Sequence, residues 1–182
     1  KEIGNQSLEN KIITVCQKYN IVLVGPNCLG LINPEINLNA SFAASSPKLG
    51  KVGFFSQSGA LCTAVIDYAN KLGIGFSKFV SIGNKAVIDD YALLKYLLVD
   101  PKTNVIGIYL ESLEKPEEIM QLAKENLTSS NPKPIIVLKS GITTEGAKAS
   151  SSHTGALAGN NAAYDALFLQ SGIIRANTTS EF

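Results

Sequence analysis

Apolar positions along this chain follow two rhythms that take turns. Short unbroken apolar runs, bounded by glycines and polar residues, predict buried strands. Between them apolar residues recur every three or four positions, which predicts amphipathic helices. Residues 8–19, LENKIITVCQKY, place Leu8, Ile12, Val15, Cys16 and Tyr19 on one helical face, with Ser7 as a candidate N-cap. IVLV at 21–24 reads as a strand ended by the turn GPN. Residues 33–50 are dominated by Asn, Ser, Ala and Pro, hold no period, and read as a linker.

From Lys51 onward the alternation is regular. Strands are predicted at VGFFS (52–56), FSKFVSIG (76–83), VIGIYLE (105–111), PIIVLK (134–139) and GIIRA (172–176). Helices are predicted at 59–73, closed by Gly73, at 89–100, at 115–127 with Pro116 and Glu117 in the first turn, and over about 159–171. Continuous apolar strands imply a sheet covered on both faces. Strand–helix alternation at this spacing implies parallel βαβ units with right-handed crossovers, an α/β fold. The helix and strand before residue 25 are too little to bury a core of their own, and they read as the tail of another domain. No internal repeat and no low-complexity segment interrupts the pattern.

Composition narrows the function classes. The chain has 182 residues, 45% apolar and 17% charged, with 16 basic against 15 acidic side chains and a net charge of +1. Without a basic patch interleaved with aromatics, nucleic acid is not an expected partner. No apolar run spans a bilayer, so no membrane association is expected either. The three cysteines, Cys16, Cys28 and Cys62, follow neither a disulfide nor a zinc spacing and fit a cytoplasmic protein with reduced thiols. The polar start KEIGNQSLEN is not a signal peptide, and without an initiator Met it reads as the beginning of a piece of a longer polypeptide.

In a parallel α/β sheet, ligands bind beyond the carboxyl ends of the strands. Those ends carry SQSG, IGNKAV, ES and SGITTEGAKASSSHTG. The only histidine, His153, and the carboxylate Glu111 therefore fall on one edge. In FSQSGA, Ser56, Ser58 and the backbone N–H groups of Gly59 and Ala60 lie at a predicted helix N-terminus. They could cradle an anion, although serines there commonly act only as caps. Glu111 is either a solvated acid at a strand end or a carboxylate that accepts an imidazole N–H. A lone histidine is more often inert than reactive. Here the length of its loop and the small residues around it favour a functional ring, and TGALAG just after it offers a helix dipole that keeps the ring neutral.

GPNCLGLINP (25–34), GKVGFFSQSGAL (50–61), SIGNKA (81–86), IYLES (108–112) and SSSHTGALAG (150–159) together resemble the NDP-forming acyl-CoA synthetases. These are the ADP-forming acetate–CoA ligases and their relative, the succinyl-CoA synthetase α subunit. The resemblance implies a flavodoxin-like, doubly wound parallel sheet over residues 51–182. It implies that residues 1–33 close a Rossmann-like CoA-binding domain and that 34–50 form the linker. It implies an acid–CoA ligase working through an acyl phosphate and a phosphohistidine. Its substrates would be a carboxylic acid, CoA, phosphate and ADP/ATP (or GDP/GTP) with Mg2+. Nucleotide would be held by an ATP-grasp domain or β subunit outside this chain, with no metal site in the chain itself, so the chain alone should be inactive. His153 matches the phosphorylated residue and Glu111 the acid bonded to it. Ser56, Gln57, Ser58, Gly59, Ala60, Thr154 and Gly155 match the phosphate-binding turns. Asn27 and Cys28 match a turn near the thiol end of CoA. Val87 departs from the pattern, since many relatives carry an acid there.

Two other classes are weighed against this one. A serine hydrolase would use Ser58, an acid and His153 in the right chain order, but SQSGA is not the G-x-S-x-G elbow. A regulatory synthetase-like module of a protein acetyltransferase typically lacks the histidine that this chain keeps.

Overall fold

The computed structural model describes residues 6–141 and 161–182. The helices are α1 (Gln6–Tyr19), α2 (Gly59–Leu72), α3 (Asp90–Val99), α4 (Pro116–Leu127) and α5 (Asn161–Ser171). The strands are β1 (Gly30–Asn33), β2 (Leu38–Ser41), β3 (Leu49–Ser56), β4 (Phe76–Ser81), β5 (Val105–Leu110), β6 (Ile135–Lys139) and β7 (Ile174–Ala176). One sheet takes the order β2-β1-β4-β3-β5-β6-β7. Its parallel part, β4-β3-β5-β6-β7, follows the 2-1-3-4-5 winding of flavodoxin-like folds when the parallel strands are counted from β3. The chain reverses its winding direction at β3, so the switch point lies between the ends of β3 and β5.

Neighbouring residues on β3 show why both faces are covered. Phe54 and Phe55 point to opposite sides of the pleat and both are buried. Phe54 joins Cys62, Ile66 and Ala69 of α2 with Phe76 and Phe79 of β4. Phe54 stacks on Phe79 at a centroid distance of 4.7 Å, and Phe76 meets Phe79 edge-on at 5.1 Å. Phe55 joins Leu94 and Leu97 of α3, Ile119 and Ala123 of α4 and Phe168 of α5 on the other face. The helices begin and end on the expected signals. Asp89 caps α3 by accepting from the Ala92 N–H at 2.8 Å, Pro116 opens α4, and Gly73 closes α2 in a left-handed turn.

Two expectations change. IVLV at 21–24 is not a strand. Carbonyls of this stretch and its turn accept instead from the loop after β4: Ile88 N–H bonds Leu23 O, Ala86 N–H bonds Gly25 O and Asn84 N–H bonds Pro26 O. No strand among the described residues lies alongside to complete a ladder, and Val22 is 76% exposed. Residues 34–50 are not a featureless linker. They hold a short 3-10 turn (Pro34–Ile36), β2 and the start of β3. β1 and β2 form a hairpin that adds antiparallel strands beside β4. No helix among the described residues is long and apolar enough to cross a membrane.

Candidate functional site

β3 ends at Ser56, which is fully buried and shapes the turn into α2. Its hydroxyl donates to Ser58 O at 2.9 Å and accepts from Ser58 N–H at 3.0 Å. Ser58 is the N-cap of α2, its hydroxyl accepting from Leu61 N–H at 3.3 Å. Both hydroxyls thus serve the turn itself. The first two amides of α2, Gly59 and Ala60, have no carbonyl behind them in the helix and donate to no described group. They lie at the switch point with the positive end of the α2 dipole, an arrangement that suits an anion.

Gln57 behaves differently from the expectation that it would face phosphate. Its side chain is turned inward and all four hydrogen-bonding positions are taken. Oε1 accepts from Glu111 N–H at 2.8 Å and Ser112 N–H at 3.0 Å. Nε2 donates to Asp90 Oδ1 at 2.7 Å and Ser112 O at 2.8 Å. One amide therefore ties the end of β3 to the residues just past β5 and to the start of α3. Lys85 completes the network from the loop after β4, its ammonium lying 3.0 Å from Asp90 Oδ2 and 3.2 Å from Ser112 O. Burial pushes the Asp90 carboxyl above its ordinary value, while Lys85 and Gln57 act against that shift.

Glu111 is half-buried at the end of β5, its backbone held by Gln57. Beside it, Lys139 ends β6, paired in register with Leu110. The Asn27 and Cys28 turn packs against the same edge from the other side. Asn27 Nδ2 donates to Asn84 Oδ1 at 3.2 Å, and Leu29 N–H bonds the Ser81 hydroxyl at 3.0 Å. Burial raises the Cys28 thiol and pushes that of Cys62 up to about 11, so both stay protonated near neutrality and neither is poised as a nucleophile.

The structure therefore gathers Asn27, Cys28, Ser56, Gln57, Ser58, Gly59, Ala60 and Glu111 along one edge of the sheet. His153, Thr154 and Gly155 lie outside the described residues. Sequence reasoning missed Lys85, Asp90 and Ser112. Lys85 lies within the quoted SIGNKA turn but nothing in the turn singled it out, and Asp90 looks like one of two interchangeable helix-start acids. Lys139 did carry a signal, as the only charge in the apolar run PIIVLK.

Residues 49–182 match a protein-family model described as the succinyl-CoA ligase like flavodoxin domain. The chain is 51% identical over 180 residues to an ADP-forming acetate–CoA ligase of Methanocaldococcus jannaschii, covering 99% of this chain and 25% of that relative. It is 41% identical over 182 residues to the ADP-forming acetate–CoA ligase I subunit alpha of Pyrococcus furiosus, covering 99% and 39% respectively. Among solved structures, a Ca. Korarchaeum cryptofilum dinucleotide-forming acetyl-coenzyme A synthetase 1 in complex with phosphate and ADP is 40% identical with a TM-score of 0.90, over 98% of this chain and 38% of that one. The chain thus spans between 25% and 39% of the length of these three proteins.

Proposed function

Because the chain belongs to the family of succinyl-CoA ligase like flavodoxin domains, we propose that it is part of an NDP-forming acyl-CoA synthetase. The enzyme interconverts acyl-CoA, phosphate and ADP or GDP with the free acid, CoA and ATP or GTP. The observation that carries this reading is local. Two amides at the N-terminus of α2 that bond no described group stand at the switch point, beside a Glu111 whose backbone is fixed by Gln57, in a chain 51% identical to an ADP-forming acetate–CoA ligase.

The steps balance as follows. A phosphate oxygen attacks the thioester carbonyl, the C–S bond breaks, and CoA leaves as acyl phosphate forms. A ring nitrogen of His153 then attacks phosphorus and the carboxylate leaves. The phosphoryl group finally passes to the nucleoside diphosphate and restores the neutral ring. The amides of Gly59 and Ala60 bind the phosphoryl oxygens and favour negative charge there. Glu111 accepts the N–H of the other ring nitrogen and stabilises the imidazolium that phosphorylation creates. The Asn27–Cys28 turn, packed beside α2, is the place assigned to the thiol end of CoA. Nucleotide with Mg2+ is assigned to an ATP-grasp domain, fused or as a β subunit. The described residues offer no group of three or more His, Cys, Asp or Glu that could hold a metal. The chain up to the Asn27–Cys28 turn is assigned to the end of a CoA-binding domain and residues 49–182 to the flavodoxin-like domain, whose sheet the β1–β2 hairpin extends.

Incubating the complete enzyme with labelled ATP tests this reading. The account expects a protein-bound phosphate that is stable in base and labile in acid, discharged by ADP. A base-labile ester, or no covalent phosphate, would remove the proposed chemistry.

A further inference from the structure

Lys85, in the loop after β4, joins two parts of the candidate site that the strands alone leave separate. Its backbone lies in the left-handed region at φ +57. The other described non-glycine residues with positive φ are Asn20, Asn27 and Asn37, and asparagine tolerates that region far better than lysine does. The amides on either side of Lys85 hold it there. Asn84 N–H bonds Pro26 O at 2.9 Å and Ala86 N–H bonds Gly25 O at 3.0 Å, so the loop grips the turn that carries Asn27 and Cys28. The Lys85 side chain is 6% exposed and reaches the residues just past β5. There its ammonium lies 3.2 Å from Ser112 O and 3.4 Å from Ser112 Oγ. It also lies 3.0 Å from Asp90 Oδ2 and 3.6 Å from Glu114 Oε1. Ser112 directly follows Glu111, and Gln57 accepts from the amides of both while it donates to Asp90.

A strained backbone and a buried ion pair are both costly, and neither is an efficient way to stabilise a fold. What they supply together is fixed geometry. An ammonium held by a carboxylate and two serine oxygens has little freedom to move. Backbone bonds tie one end of Lys85 to the 25–28 turn, and the side chain ties its other end to Ser112. We propose that Lys85 is the positioning residue that couples the Asn27–Cys28 turn to Glu111: it holds the turn and the residues just past β5 at one spacing, so that the thiol end of CoA and the phosphoryl group meet in register. This rests on the functional reading above and adds a residue to it. Lys85 acts through its neighbours on both sides, without a substrate contact of its own.

Three forms of the complete enzyme are compared: wild type, Lys85→Met, and Lys85→Met with Asp90→Asn. Lys85→Met alone leaves a buried carboxylate without its cation and should lower thermal stability. The double variant removes both charges while the new amide oxygen still accepts from Gln57, so thermal stability should largely recover. CoA-ester formation from acetate, CoA and ATP should not recover. In both variants kcat should lie about tenfold or more below wild type with KM for CoA within about threefold, since misplacement disturbs the reacting geometry more than binding. Cys28 reports on the turn itself. Its alkylation by iodoacetamide, mapped by mass spectrometry apart from the buried Cys16 and Cys62, should be about fivefold or more faster in the double variant. A double variant with wild-type kcat would overturn the proposal. Cys28 alkylated at the wild-type rate would overturn it as well, because the turn would then not depend on Lys85. A double variant that cannot fold would do the same by marking the pair as structural. Labelling of the wild type from ATP is measured alongside. If the variants follow the expected pattern but the wild type carries no covalent phosphate, the phosphohistidine reading fails and the coupling stands. If the wild type forms no CoA ester, both fail.

Discussion

Two glycines at the candidate site separate close approach from mere smallness. Gly83, at φ +55, lies under the 25–28 turn, and a Cβ there would come within 2.3 Å of Pro26 O and 2.4 Å of Asn27 O. The GPNC and GNKA turns can touch only because that position has no side chain. Gly83→Ala should cost about 2–4 kcal/mol from overpacking and a left-handed backbone together. At Gly59 the nearest atom to a built Cβ is Leu29 N at 3.5 Å, an ordinary contact, so Gly59→Ala should change stability by less than about 0.5 kcal/mol. Chemical denaturation of the two variants against wild type checks both figures. Gln57 is the other decisive residue. Gln57→Ala removes the acceptor of the Glu111 and Ser112 amides and the donor to Asp90 Oδ1 and should cost about 3 kcal/mol. It should also slow phosphoryl transfer by displacing Glu111. A Gln57→Ala enzyme of wild-type stability and rate would show that the network holds nothing in place.

At the scale of elements, the parallel sheet and its helices were legible because their signals were redundant. β3, β5 and β6 each hold an apolar run, β4 holds its aromatic pair Phe76 and Phe79, and α2 to α4 each carry a start or stop signal such as Asp89, Pro116 or Gly73. The β1–β2 hairpin was not legible. GLIN and LNAS are short and rich in Asn, and their pairing is set by tertiary contact with β4. IVLV failed in the opposite sense: its composition suits a strand, but its neighbour is a loop. Ions anchor the hairpin at the end of the sheet opposite the candidate site. Glu35 in its turn meets Lys78 at 3.5 Å and Lys102 at 3.0 Å, and Lys78 also lies 3.3 Å from Asp100. Burial raises the Asp100 carboxyl, but Thr103, the Lys102 amide and Lys78 outweigh it and leave it below the ordinary range. A depressed carboxyl contributes stability that is present above its unfolded value of about 3.9 and is lost as pH falls through its lower folded value. Lys78→Met removes one of those partners and raises the folded value. Acid unfolding of Lys78→Met, followed by circular dichroism, should therefore begin at higher pH than in wild type. An identical acid transition would mean that Lys78 does not set the Asp100 carboxyl.

At the scale of the whole molecule, the proposed function makes the candidate site one edge of a larger active site. α2, β5 and the Asn27–Cys28 turn converge at the switch point; the alternation of strands and helices implied the meeting of the first two at one edge, and only the family resemblance pointed to the third. The inward direction of Gln57 was not implied, because a side chain's partners depend on which strands become neighbours. The chain spans a quarter of its Methanocaldococcus jannaschii relative, so nucleotide and most CoA contacts are assigned to other parts. The purified 182-residue chain should form no CoA ester from acetate, CoA and ATP. Sustained ester formation would place the nucleotide site within this chain. The central claim is that the single imidazole carries the phosphoryl group, and labelling of the complete enzyme from radiolabelled ATP, wild type beside His153→Ala, tests it most directly. The account predicts a base-stable, acid-labile phosphate on the wild type and none on His153→Ala, with CoA-ester formation lost in the same variant. A base-stable phosphate that survives in His153→Ala would contradict it.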